Sequence, residues 1–162
     1  MPKKSVYLII VTATCLIVLF YYNKYRIAPS LKFSELELVN SEGHSFDFNS
    51  LKGKKIIVAM YASWCGNCLL ELETINRIKN SELSDVEIIC ITDESLEKLN
   101  IFKNEKAYPF TFLKMQKHFP DIGINSIPVT YILNKNLEIV KEEVGDIKWD
   151  DASTLNYIKG LF

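Results

Sequence analysis

Cys65 and Cys68 stand where one hydrophobic period gives way to another, and that junction narrows the folds open to this chain. Ahead of them runs Ile56-Ile57-Val58-Ala59-Met60-Tyr61, a near-continuous apolar stretch of the kind a strand buried on both faces requires. Behind them, Leu69 to Ile78 carries apolar residues at helical spacing. Trp64-Cys65-Gly66-Asn67-Cys68 therefore reads as the end of a strand, a short turn and a helix opening on the first cysteine. A thiol at a helix N-terminus meets unsatisfied backbone N–H groups and the positive end of the helix dipole. Both favour the thiolate, which is the nucleophilic form. The second cysteine, one turn further on, can close a disulfide on the first and release whatever the first has attacked. That chemistry is thiol–disulfide exchange, with Cys65 as nucleophile and Cys68 as resolving thiol.

Two other readings of a Cys-x-x-Cys pair compete. A zinc site needs two more ligands. The candidates are Cys15, Cys90, His44 and His118, and none forms a second closely spaced pair. No metal and no cofactor is expected. A purely structural disulfide would close a very small loop and gain little chain entropy. Cys90, within Glu87-Ile88-Ile89-Cys90-Ile91, reads as a small core hydrophobe.

The N-terminus differs in character from the rest. Val6 to Tyr22 contains no charged residue, and at 1.5 Å rise per residue a helix of this length, about 25 Å, reaches the short end of what crosses a bilayer core of about 30 Å. Lys3 and Lys4 precede the run, Lys24 and Arg26 follow it, and Tyr7, Tyr21 and Tyr22 suit the interfacial belts. The short basic leader favours an inside N-terminus with the remainder exported. A cleaved signal peptide is the competing reading, but no small-x-small site follows the run. Thr12-Ala13-Thr14-Cys15 faintly resembles a lipoprotein cleavage box, yet apolar sequence continues well past Cys15. The expected division is a cytoplasmic tip and transmembrane anchor over 1–24, a polar linker with Pro29 over 25–32, and one domain over 33–162.

The 162 residues are enough for an anchor and one domain with a real core. Net charge is -1, and no basic stripe with interleaved aromatics points to nucleic acid. Leu36-Glu37-Leu38-Val39 and Phe46-Asp47-Phe48 alternate around a turn containing His44 and read as an N-terminal β-hairpin. Further on, the pattern predicts a helix from about Gly66 to Lys79, a strand over Val86–Ile91, and capping residues Thr92 to Ser95 opening a helix to about Lys103. Then come a short strand over Phe110–Leu113, a short helix over Lys114–Phe119, a hairpin of Val129–Leu133 with Leu137–Val140, and a last helix within Trp149–Phe162. Strands alternating with helices, then a hairpin and a helix, give an α/β fold with a central mixed sheet and helices on both faces. His118 reads as a surface residue.

Several stretches together resemble a known family. They are Leu51-Lys52-Gly53-Lys54-Lys55-Ile56-Ile57-Val58, Tyr61-Ala62-Ser63-Trp64-Cys65, Ser126-Ile127-Pro128-Val129-Thr130-Tyr131-Ile132-Leu133, and Ile139-Val140 to Val144-Gly145. From roughly Phe33 to the C-terminus the chain resembles the thioredoxin fold, and within it the membrane-anchored TlpA/ResA-type thiol–disulfide oxidoreductases. The resemblance implies a thioredoxin-like domain with an extra N-terminal hairpin. It implies an active-site acid at Glu71, on the helical face of Cys68, able to exchange a proton with that thiol; a solvated Glu71 is the competing reading. It implies a cis Ile127–Pro128 bond facing the cysteine pair, although sequence alone favours trans. Ile127 would then offer its backbone to an extended substrate, and Trp64 would shield the disulfide and contact substrate. The function implied is reduction of disulfides in exported proteins, for instance apocytochrome haem-site cysteines, at the outer face of the cell membrane. Electrons would come from a membrane-bound thiol reductant. A disulfide oxidase or isomerase on the same fold is the alternative enzyme, and a non-catalytic binding module the alternative outside enzymes. Family members usually carry Pro where this chain has Asn67, and often another where it has Glu73. The dipeptide Gly66-Asn67 therefore leaves the direction of electron flow open.

Overall fold

The computed structural model describes residues 3–162. Helix α1 spans Lys3–Arg26 and buries none of its apolar window against the rest of the chain. By length and composition this helix can cross a membrane.

The remaining elements are β1 (Leu38–Asn40), β2 (Lys55–Met60), α2 (Gly66–Ile78), β3 (Val86–Thr92), α3 (Leu96–Lys106), β4 (Thr111–Met115), β5 (Val129–Leu133), β6 (Ile139–Val144) and α4 (Ala152–Lys159). The strands form one mixed sheet in the order β1-β4-β3-β2-β5-β6. β2, β3 and β4 run parallel, while β5 lies antiparallel to β2 with Met60 opposite Val129. Alternation along the strands splits the core in two. Ile57, Ala59, Ile88, Cys90 and Ile132 enter one cluster; Ile56, Val58, Met60, Ile89 and Ile91 enter the other. The crossovers β2-α2-β3 and β3-α3-β4 step the same way along the sheet. One handedness therefore places both helices on one face. Cys68, Leu72 and Ile75 of α2, Leu99 and Phe102 of α3, and Leu155 and Ile158 of α4 all enter the first cluster. The helices covering the second face are short 3₁₀ turns, Phe33–Glu35, Phe48–Leu51 and Phe119–Ile122.

Three sequence expectations change. The N-terminal hairpin is reduced to a single antiparallel bridge, Val39 with Ser45, and β1 pairs instead with β4. Phe48, expected in the return strand, starts a 3₁₀ turn that Asp47 caps by accepting the Asn49 N–H. The short helix expected over Lys114–Phe119 is absent. Lys114 and Met115 continue β4, and the turn begins at Phe119, where Asp93 accepts the Phe119 N–H at 3.0 Å. Pairing with β1 and β3 on both sides outweighs the weak local helical pattern. Finally, the segment read as a polar linker is seated on the domain. Ala28 is buried, the Pro29 carbonyl accepts the Tyr131 hydroxyl at 3.0 Å, and the Tyr25 carbonyl accepts the Ser126 hydroxyl at 2.8 Å.

Candidate active site

β2 ends at Met60, and Tyr61 and Ala62 remain buried beyond it, so the chain leaves the sheet with little freedom. Cys65 is the N-cap of α2 and forms a disulfide with Cys68, with the two Cα atoms 5.3 Å apart. The Cys68 N–H points at the Cys65 sulfur from 3.2 Å. One of the orphan donors of the helix start is thus aimed at the sulfur expected to carry the thiolate. Cys65 keeps 7% of its surface exposed against 1% for Cys68, so an incoming group reaches Cys65 first. Trp64 is 73% exposed beside them. It is an apolar ring left in water at the rim of the disulfide.

The turn carrying Trp64 is fixed from outside. The Glu94 carboxylate accepts the Ser63 N–H at 2.6 Å and the Ser63 hydroxyl at 3.0 Å, and pairs with Lys98 at 3.3 Å. In the sequence Glu94 lies among the capping residues Thr92 to Ser95, and nothing local links positions 63 and 94.

Glu71 is buried, not solvated. Three donors converge on its Oε1: Trp149 Nε1 at 2.9 Å, Thr130 Oγ1 at 3.2 Å and the Ile147 N–H at 3.4 Å. Burial pushes its carboxyl up to about 7, against the pull of these hydrogen bonds, with a small further push from Asp146. Glu71 lies three residues after Cys68 on α2, so their β-carbons stand about 5–6 Å apart on one face. Cys90 is buried on the same side of the sheet, and its thiol is pushed well up by burial and then by Glu71. Glu73, by contrast, is exposed.

The Ile127–Pro128 bond is cis. The Pro128 carbonyl is taken up by the Gly145 N–H at 2.9 Å, whereas among the described residues no hydrogen bond takes up the Ile127 N–H or C=O. Ile127 packs against both core clusters, including the one that holds the two cysteines. Because Val129 pairs with Met60, the 126–128 loop and the Cys65 turn lie beyond the same end of the sheet.

The two histidines lie elsewhere. Each is exposed, His44 beside Glu42 and His118 beside Asp93. Among the described residues no three His, Cys, Asp or Glu side chains are grouped to hold a metal ion.

Known proteins are similar to this chain in sequence and in fold. The Redoxin family model matches residues 25–158. The thiol-disulfide oxidoreductase ResA of Bacillus thuringiensis (strain Al Hakam) is 24% identical over 132 residues, covering 78% of this chain and 76% of that one. The thiol:disulfide interchange protein DsbE of Vibrio cholerae is 23% identical over 133 residues, covering 78% and 71%. In fold, the chain is similar to a thioredoxin-like protein of Porphyromonas gingivalis, with TM-score 0.66 and 21% identity over 81% of this chain and 94% of that one. It is also similar to an exposed lipoprotein thioredoxin of Streptococcus pneumoniae, with TM-score 0.59 and 23% identity over 76% and 97%. With its helix-capping cysteine pair, its match over most of its length and these relatives, the chain belongs to the Redoxin family, as a ResA- and DsbE-like thiol–disulfide oxidoreductase working through Cys65 and Cys68.

Proposed function

We propose that the chain reduces disulfides of exported proteins at the outer face of the cell membrane. One observation carries the reading: the Cys65–Cys68 pair opens α2 with a buried carboxyl, Glu71, one turn behind the resolving sulfur. In the reduced protein the Cys65 thiolate attacks one sulfur of a substrate disulfide. The substrate S–S bond breaks, its second sulfur leaves as a thiolate, and a mixed disulfide forms on Cys65. Cys68 then loses its proton to Glu71 and attacks the Cys65 sulfur. The second substrate thiolate leaves, and the Cys65–Cys68 disulfide remains. Two electrons have passed to substrate, and a thiol reductant in the membrane returns them.

The surrounding residues support binding. An extended substrate can pair with the Ile127 backbone, and Trp64 offers it an apolar face. Pro128 stiffens the loop because its φ is fixed. The division proposed is an anchor over 1–24, a connection over 25–32 and the redox domain over 33–162. Lys3 and Lys4 favour an inside N-terminus, which puts the domain outside. The family resemblance favours reduction, with apocytochrome haem-site cysteines as the implied substrate.

The test is reduction of insulin by dithiothreitol with the full chain in detergent. The wild type should accelerate it, and Cys65→Ser should abolish the acceleration. A wild type no faster than dithiothreitol alone would remove the reading. The reduction potential of the couple then separates reductase from oxidase, since 30 mV corresponds to about 1.4 kcal/mol.

A further inference from the structure

The last residue of the uncharged N-terminal run is Tyr22, and Tyr25 follows it in the same unbroken helix. Three residues of helix rise about 5 Å, so the Tyr25 carbonyl lies near headgroup level in an anchored chain. The last four carbonyls of a helix have no intrahelical partner. That of Tyr25 is taken by the hydroxyl of Ser126, at 2.8 Å. Ser126 is the residue before Ile127, whose backbone N–H and C=O have no hydrogen-bond partner among the described residues. The chain beyond α1 does not wander. Ala28 is buried, Pro29 accepts the Tyr131 hydroxyl from β5, and the Pro29 ring sits where a side chain on Gly123 would meet it at 3.4 Å. Arg26 lies beside Gly145, the residue whose N–H holds the Pro128 carbonyl. The end of the anchor is thus tied to the same end of the sheet as the disulfide.

We infer that residues 25–29 form a strut, which holds the redox end of the domain close to the bilayer and selects disulfides presented at the membrane surface over freely diffusing ones. The inference rests on the membrane-anchored oxidoreductase reading above and adds the class of substrate presentation. A flexible linker would let the domain tumble and sample a wide shell. A seated strut fixes height and orientation together, so the effective concentration of the site is high only near the headgroups. The partner it fits is a protein of the same membrane whose disulfide emerges at the surface, or a substrate held there by one.

The full chain in phosphatidylcholine vesicles, domain outward, tests this with one disulfide peptide in two forms. One form is free in solution; the other is joined to a lipid headgroup by a short link. The comparison protein carries a Gly/Ser spacer of about twelve residues between Arg26 and Ile27, whose ends average roughly 20 Å apart. The spacer should lower the rate on the lipid-joined peptide about fivefold or more, because effective concentration falls as the tether loosens, and leave the free-peptide rate within about twofold. Ser126→Ala should move the ratio of the two rates in the same direction, and Ser126→Thr, which keeps the hydroxyl, should restore it. Equal ratios in wild type and spacer variant would overturn the strut. So would a wild type that reduces the free peptide but not the lipid-joined one. Failure on both peptides would instead remove the oxidoreductase reading itself.

Discussion

Glu71 has one carboxyl and two tasks that pull against each other. As an acid of the unfolded chain it titrates near 4.3, whereas in the fold it titrates at about 7. The fold therefore favours the protonated form. The associated stability is fully present below the unfolded value and is lost as pH rises through about 7, a difference on the order of 3 kcal/mol. Urea unfolding of the full chain in detergent should give a higher stability at pH 5 than at pH 8. Glu71→Gln, which cannot ionise, should flatten that difference and be the more stable of the two at pH 8. The same variant should change the pH profile of disulfide exchange more than Glu73→Gln does, because Glu73 is exposed. Indistinguishable profiles for the two variants would return Glu71 to a structural role. The cysteines divide by exposure and by capping. Cys68→Ser should accumulate mixed disulfides through Cys65, seen as adducts on non-reducing gels, while Cys65→Ser should not. Faster alkylation of Cys68 than of Cys65 in the reduced protein would reverse the assignment.

Two loops do for the helix what α2 cannot do alone. The segment after β6 brings Ile147 and Trp149 onto Glu71, and the turn after β3 brings Glu94 onto Ser63. Trp149 is fully buried, and its N–H opposes the effect of burial on Glu71. Trp149→Phe removes that donor and keeps most of the ring. It should move the Glu71-dependent step of the pH–rate profile to higher pH, and lower stability by about 1–3 kcal/mol as the carboxyl loses a partner. A step that moves to lower pH would show that the bond serves packing rather than the proton. Glu94→Ala leaves the Ser63 N–H without its acceptor, at a similar cost of about 1–3 kcal/mol. Exchange should slow with it, because the turn carrying Trp64 and Cys65 is no longer held; thermal unfolding and insulin reduction read the two effects separately. The hairpin shows the same dependence on neighbours from the other side. Its alternating residues are present, but only Val39 and Ser45 pair, because β1 finds a longer partner in β4.

On the scale of the chain, α1 is an exposed apolar rod whose last turn is tied to the domain. N-terminal sequencing of protein extracted from membranes should find Val6–Tyr22 retained. A mature chain starting near Cys15 or Tyr25 would mean that the segment is a cleaved leader. The sequence by itself determined what depends on neighbours a few positions apart. Apolar runs and helical spacing located β2, α2, β3, β5 and α1, and the spacing of Cys65 and Cys68 set the chemistry, because periodicity and a one-turn separation are local properties. The place of Glu71 on the Cys68 face was readable for the same reason. Whether that face was buried was not. Its three donors come from Thr130, Ile147 and Trp149, which are 59, 76 and 78 residues away. The seating of Tyr25 on Ser126 spans 101 residues. Burial and hydrogen bonding across such distances exist only once the sheet order brings those strands and loops side by side. The tertiary structure alone therefore decided the state of the acid, the grip on the Trp64 turn and the position of the anchor beside the site.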